Sequence, residues 1–123
     1  QNMTPDRARV FYVEDDGDSL NVGREFLEIG GHTVVETATS LKEALEKIPS
    51  LNKKGVNVAV VDGNLSENFS DGRDGKRVVG EIKTKHPRIK VVGHSLENSV
   101  DGADFNSPKI KGGMNLAETV RKA

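Results

Sequence analysis

The chain has 123 residues, with 18 basic and 19 acidic side chains, a net charge of −1 and no cysteine. This length suits one domain with a single core, and the lack of cysteine excludes disulfides and thiolate metal sites. The balanced charge and the absence of tryptophan argue against nucleic-acid binding. The longest apolar runs are too short to span a membrane and no signal-peptide pattern is present, so we expect a cytoplasmic protein.

The first half of the chain alternates strand and helix patterns. "ARVFYVEDD" predicts a buried strand that ends in acidic residues, and "SLNVGREFLEIGG" predicts a helix that stops at Gly30-Gly31. We interpret Asp18 as the cap of that helix. "HTVVETA" predicts a second strand, and "SLKEALEKI" predicts a second helix that Ser40 and Glu43 open as a capping box.

The second half continues this alternation. "VNVAVVD" predicts a third strand, residues 63–74 a long polar loop, and "GKRVVGEIKTKH" a helix opened by Asp74. "RIKVVGHS" predicts a fourth strand, "GADFNS" a short fifth, and "NLAETVRKA" a last helix capped by Asn115. Apolar strands that alternate with helices predict an α/β fold with a doubly wound parallel five-stranded sheet. We expect residues 1–6 to be a flexible lead-in and 7–123 to form the domain.

Polar side chains follow several of these strands. The first strand ends in the acidic run 14–16, the third ends at Asp62, the fourth ends at Ser95, and Lys109 follows the fifth. Because the carboxyl ends of parallel strands meet at one edge of a sheet, we expect these groups to converge. Converging carboxylates repel one another, and Mg²⁺, which prefers oxygen ligands, would relieve that repulsion. Ser95 and Lys109 suit the oxygens of a phosphoryl group.

This layout resembles the receiver domain of two-component response regulators from about Arg7 to the end of the chain. "VFYVEDD" matches the first strand with its acidic pair, and "VAVVDGNL" matches the phosphoacceptor strand. "GHTVVETATSLKEALEKI" and "DGKRVVGEIK" match the second strand and helix and the third helix. "VVGHS" matches the fourth strand with its hydroxyl residue, and "GADF" followed by Lys109 matches the fifth strand and its lysine. The resemblance implies a flavodoxin-like, receiver-like fold.

The resemblance also implies roles for individual residues. Asp62 would accept a phosphoryl group from a histidine kinase or a phosphotransfer protein, and Ser95 and Lys109 would bind the phosphoryl oxygens. Mg²⁺ would be held by Asp15 directly, by Glu14 through water, by Asp62 and by the backbone carbonyl of Asn64. The expected function is that of a signalling domain that switches its interaction with a downstream protein target. Its only chemistry would be its own phosphorylation and dephosphorylation, and it would bind neither nucleic acid nor membrane.

The sequence departs from the family pattern near the fifth strand. The usual Lys-Pro order is reversed in Pro108-Lys109, so Lys111 is an alternative phosphoryl-binding lysine. Asn106 stands where the family has a switch aromatic, and Phe105, one position away, is the other candidate for that role. The loop after Asp62 also lacks the usual proline and is longer.

The connection between the fourth and fifth strands is short. Only "LENSVD" separates Ser95 from Gly102, so we expect the fourth helix of the family to be short or missing. Many receivers dimerise through a face made by that helix and the fifth strand. Because the helix is expected to be short or missing here, we expect a monomer. Any switching should then involve the segments 63–74 and 96–111.

Two other functions are considered for a protein with these residues, a docking module and a phosphatase. The altered switch region is compatible with a receiver-like docking module that does not depend on phosphate. A phosphatase of the haloacid dehalogenase type also uses an aspartate at a strand end, but it needs a second aspartate where this chain has Asn64. We interpret His94, next to Ser95, as an ordinary strand residue.

Overall fold

The computed structural model describes residues 7–62, 73–94, 100, 102–107 and 113–123. Strands and helices alternate within these ranges. The strands are β1 (Arg9–Val13), β2 (Thr33–Ala38), β3 (Val58–Val61), β4 (Lys90–Gly93) and β5 (Phe105–Asn106). The α-helices are α1 (Gly17–Ile29), α2 (Leu41–Lys47), α3 (Arg73–Lys85) and α4 (Gly113–Lys122), and a 3₁₀ turn (Ile48–Ser50) follows α2.

The strands form one parallel sheet in the order β2-β1-β3-β4-β5. The direction in which the chain adds strands reverses between β1 and β3, and sites in such sheets form where the order reverses. The predicted doubly wound, parallel five-stranded α/β fold is therefore confirmed. The described α-helices have at most 13 residues, and none of them meets the length and apolarity needed to cross a bilayer.

Two apolar clusters cover the two faces of the sheet. Val10 and Tyr12 of β1 pack in the cluster that α1 and α4 cover. Phe11 and Val13 point the other way, into the cluster that α2 and α3 cover. This alternation is the period of two that a strand imposes on its side chains. Each fully buried residue of this size stabilises the fold by about 1.5–3 kcal/mol, so the central strands are held firmly from both sides.

The two N-terminal helices begin close to where the sequence predicts. The cap of α1 is Asp16, not Asp18, since the Asp16 side chain accepts a hydrogen bond from the Ser19 amide. In α2 the Ser40 hydroxyl accepts from the Glu43 amide at 3.1 Å, as predicted. The Glu43 carboxylate reaches one residue further back than a capping box requires and accepts from the Thr39 amide at 2.6 Å.

The two C-terminal helices begin earlier than predicted. The helix α3 starts at Arg73, so Asp74 lies inside its first turn. The helix α4 starts at Gly113, so Asn115 is its third residue and not its cap. The Asn115 side chain is used differently, because its Nδ2 donates to the Ser107 hydroxyl at 2.7 Å.

The connection from β4 to β5 packs without a helix in the part that the structure describes. Residues 94, 100 and 102–104 are not helical, and residues 95–99 and 101 lie outside the described ranges. Val100 is buried in the cluster under α3, and its amide donates to Asn106 Oδ1 at 2.9 Å. Asp104 binds the outer side of β4: its amide donates to the Val91 carbonyl at 2.9 Å, and its carboxylate accepts from the Val91 amide and from Lys83 Nζ, each at 2.9 Å. The fifth strand is thus confirmed, although it is only two residues long.

A bulge in β2 places Glu36 against two lysines. The register of the β1–β2 pair shifts between Val10 and Phe11, so Val35 is the extra residue on β2. The Glu36 carboxylate accepts hydrogen bonds from Lys54 and, at 2.9 Å, from Lys47. The hydrogen bond from Lys54 is the main cause that lowers the pKa of Glu36 from 4.5 to about 2. Burial opposes this shift, but the bonds from Lys54, Lys47 and the Thr37 amide together outweigh it.

We expect Glu36→Gln to lower the free energy of unfolding by roughly 1 kcal/mol at neutral pH, since it removes a two-lysine ion-pair network. A carboxylate with a lowered folded-state pKa stabilises the protein above its unfolded pKa and loses that effect as the pH falls towards the folded value. The difference between wild type and variant should therefore shrink between pH 4.5 and about 2 in urea titrations. Glu28→Gln, in an exposed pair with Arg24, is the control and should change stability little. A pH-independent difference would contradict this assignment.

Candidate functional site

Four polar residues continue the sheet at its carboxyl edge. The last paired row of the four neighbouring strands β1, β3, β4 and β5 consists of Val13, Val61, Gly93 and Asn106. The next residue on each strand forms what we call the polar row: Glu14, Asp62, His94 and Ser107. The amide of each donates to a carbonyl of a neighbouring strand over 2.7–3.0 Å, so the ladder extends through this row. All four residues are buried, with at most 8% of their surface exposed.

Three carboxylates meet at one end of this row. Glu14, Asp15 and Asp62 each offer an oxygen atom, and these atoms lie within 4.8 Å of one another. Glu14 and Asp62 are buried, whereas Asp15 is exposed. Carboxylates this close repel one another by an amount on the order of a few kcal/mol per pair at a protein-like dielectric constant. The fold therefore brings together the three acids that the sequence predicts to be metal ligands.

The acidic cluster fits a magnesium ion by its chemistry. Its donors are all carboxylate oxygens, the ligands that hard divalent cations prefer. Mg²⁺ keeps several water molecules, and the exposed Asp15 leaves the cluster open to solvent on one side. The fourth predicted ligand, Asn64, lies outside the described residues.

The buried Tyr12 phenol lies close enough to the cluster to be affected by the charges of Glu14 and Asp62. It precedes Glu14 by two residues on β1 and therefore shares its face of the sheet. Burial raises the pKa of Tyr12 above its usual range, and the charges of Glu14 and Asp62 raise it further, so the phenol stays protonated. The ring lies against Gly23 of α1, where an added Cβ would overlap it. Tyr12 is not among the site residues predicted from the sequence, although the period of two along β1 places it on the same face as Glu14.

The remaining predicted site residues divide into two groups. Ser95, Lys109 and the alternative Lys111 lie outside the described residues, so their roles stay predictions. Phe105 and Asn106 are described. Phe105 pairs with Val92 and is partly exposed, whereas the Asn106 side chain packs against Gly93 and accepts from the Val100 amide. Asn106 therefore contacts the β4–β5 connection, and the switch role of either residue stays a prediction.

The other end of the polar row reaches α4. His94 Nδ1 lies 2.7 Å from the Ser107 carbonyl oxygen, and the Ser107 hydroxyl accepts from Asn115 Nδ2 at 2.7 Å. Sequence reasoning missed these contacts. They depend on the register of β5 against β4, which places Ser107 next to His94 and cannot be deduced from either stretch alone.

Comparison with known proteins agrees with this architecture. No protein-family model matches the chain. The chain is 28% identical over 96 residues to the response regulator protein FleR of Pseudomonas aeruginosa, a match that covers 78% of the chain but only 18% of FleR. Among solved structures, a CheY-like receiver domain protein of Methanospirillum hungatei has a TM-score of 0.76 and 24% identity, with 94% of this chain and 91% of that one covered. The response regulator domain of Thermotoga maritima CheB has a TM-score of 0.75 and 22% identity, with 94% and 95% covered.

The likeness to the two solved structures covers 94% of the chain, and the likeness to FleR covers 78%. The solved structures show that the fold is shared, and the match to FleR shows a likeness in sequence. The chain therefore resembles the receiver domains of response regulators in sequence, and it has their fold.

Proposed function

We propose that this domain accepts a phosphoryl group on Asp62 from a histidine kinase or a phosphotransfer protein, with the help of Mg²⁺. The observation that carries the proposal is the cluster of Glu14, Asp15 and Asp62 at the carboxyl ends of β1 and β3. FleR is described as a response regulator, which supports a signalling role. The domain would act as a monomeric cytoplasmic switch that changes its contact with a downstream protein and turns over no other substrate.

The chemistry requires one nucleophile and several positioning groups. A carboxylate oxygen of Asp62 forms a bond to phosphorus while the bond between phosphorus and the donor nitrogen breaks. The electron pair of that bond stays on the donor imidazole, which takes a proton from water. Bound Mg²⁺ would supply neutralisation of the charge on the phosphoryl oxygens.

The other residues hold these groups in place. Glu14 and Asp15, with the Asn64 carbonyl, would hold the ion beside Asp62. Ser95 and Lys109, or Lys111 in its place, would bind the phosphoryl oxygens, as the resemblance to receiver domains implies.

The proposal is tested by incubating the full chain with acetyl phosphate and measuring its intact mass. We expect one added phosphoryl group in the presence of Mg²⁺ and none in EDTA, since the ion would neutralise the charge on the phosphoryl oxygens that otherwise repels the attacking carboxylate as acetate leaves. Labelling that is equally fast in EDTA would contradict the metal-assisted mechanism.

A parallel melting experiment separates loss of metal binding from loss of phosphotransfer. Ligands that bind only the folded state raise the melting temperature, so millimolar Mg²⁺ should stabilise the wild type. Asp15→Ala should remove most of that stabilisation. A chain that is stabilised by Mg²⁺ but takes no phosphoryl group would instead favour the phosphate-independent docking module.

A further inference from the structure

The buried imidazole of His94 joins the acidic end of the polar row to β5. His94 follows the Val61–Gly93 pair by one residue, so it lies beside Asp62 in the row. Its Nδ1 is 2.7 Å from the Ser107 carbonyl oxygen. A carbonyl oxygen can only accept a hydrogen bond, so Nδ1 carries a proton and donates it. This bond and the surrounding packing fix the orientation of the ring.

Ser107 continues the connection into the first turn of α4. The residue is fully buried, and its hydroxyl accepts from Asn115 Nδ2 at 2.7 Å. The Asn115 carbonyl in turn accepts from the Thr119 hydroxyl at 2.8 Å, one helical turn further on. A series of buried and half-buried polar contacts thus runs from the strand that carries Asp62, across β4 and β5, to α4.

We propose that His94 is a positioning residue that couples the state of Asp62 to the first turn of α4. The inference rests on the proposed function, because a phosphoryl group on Asp62 is the event that would displace the imidazole. Such a group adds charge and volume beside a ring that close packing leaves little room to absorb. A shift of the ring moves Ser107 through the Nδ1 hydrogen bond, and Asn115 through the Ser107 hydroxyl.

The coupling is tested by amide NMR of the full chain, before and after addition of Mg²⁺ and beryllofluoride, an analogue of the phosphoryl group. In the wild type, resonances of Glu14, Ser107 and Asn115 should all shift. In His94→Leu the shift at Glu14 should persist, whereas the shifts at Ser107 and Asn115 should be lost. In His94→Asn they should return, since the asparagine Nδ2 can donate from the place of Nδ1. A purely structural role would not produce this separation and rescue.

A second variant breaks the same connection at its outer end. Asn115→Ala removes the donor to the Ser107 hydroxyl, so the response should remain at Ser107 and disappear at Thr119. This variant keeps the test decisive if His94→Leu does not fold. His86→Asn is the control, because His86 also bonds a backbone carbonyl, that of Ile48, through its Nε2, but it lies directly after α3 and before β4 begins. It should leave the response of α4 unchanged.

The outcomes separate this inference from the function on which it rests. A response at Glu14 and Asp62 without any at α4 in the wild type would overturn the coupling and leave the phosphoacceptor role intact. A response at α4 that persists in both His94→Leu and Asn115→Ala would do the same. If no resonance at the acidic cluster responds and acetyl phosphate adds no mass, both the function and the coupling are refuted.

Discussion

Asp62→Asn is expected to abolish phosphorylation by acetyl phosphate. The asparagine side chain keeps the shape of the aspartate, but it has no carboxylate oxygen to form an acyl phosphate. Asp62 is also a buried carboxylate at the end of the central strand β3, where the carboxylate oxygens of the cluster meet. Intact mass after incubation with Mg²⁺ should therefore show no added phosphoryl group.

The comparison needs an acid that is close in sequence to the site but outside it. Asp18→Asn serves this purpose, since Asp18 is exposed in the first turn of α1. It should label at the wild-type rate. Cooperative melting of both variants would exclude misfolding as the cause of any loss. Stable labelling of Asp62→Asn at the wild-type rate would move the phosphoacceptor to another residue and refute the assignment.

Gly23→Ala is expected to destabilise the fold by about 1–3 kcal/mol, against the usual preference of helices for alanine. Gly23 is buried in α1 directly over the Tyr12 ring, and an added Cβ would lie 2.7 and 2.8 Å from two ring carbons. Either the helix or the ring must move. Because the charges of Glu14 and Asp62 act on the Tyr12 phenol, a shift of the ring should also weaken the stabilisation by Mg²⁺. Urea unfolding with and without Mg²⁺ measures both effects.

The same substitution at Gly80 is the matched control. Gly80 also lies inside a helix, α3, but an added Cβ there would meet nothing within 4 Å. Gly80→Ala should therefore stabilise the protein by up to about 1 kcal/mol. If both variants changed stability in the same direction and by the same amount, the contact between Gly23 and Tyr12 would have no energetic importance.

Local patterns were sufficient to predict the architecture. The uninterrupted apolar run Val58–Val61 is buried at every position, as a central parallel strand requires. Gly30 and Gly31 end α1 as predicted, and Gly31 takes the left-handed conformation, with φ of 92°, that glycine adopts without strain. Such signals act within a few residues, so a single sequence contains them.

Features that depend on the packing of distant segments were predicted less well. Asp16 and Asp18 are both plausible caps in sequence, and only the path of the chain out of β1 decides for Asp16. The assignment of Asn115 as a cap was wrong because α4 begins earlier, at Gly113, and the Asn115 side chain donates to Ser107 instead. The acidic cluster was predictable because all its members follow strand ends, whereas the role of His94 depends on a register set by β5.

The short β5 and its neighbour Asp104 bear on the resistance of this fold to self-association. Open strand edges allow foreign strands to add to a sheet. On the outer side of β4, both backbone groups of Val91 are already bonded by Asp104, and Lys83 adds a positive charge at the same place. Among the described residues that follow Asp104, Phe105 and Asn106 form the strand β5. Asp104 thus uses both backbone groups of Val91, one through its amide and one through its carboxylate, and an added strand could not pair with them there.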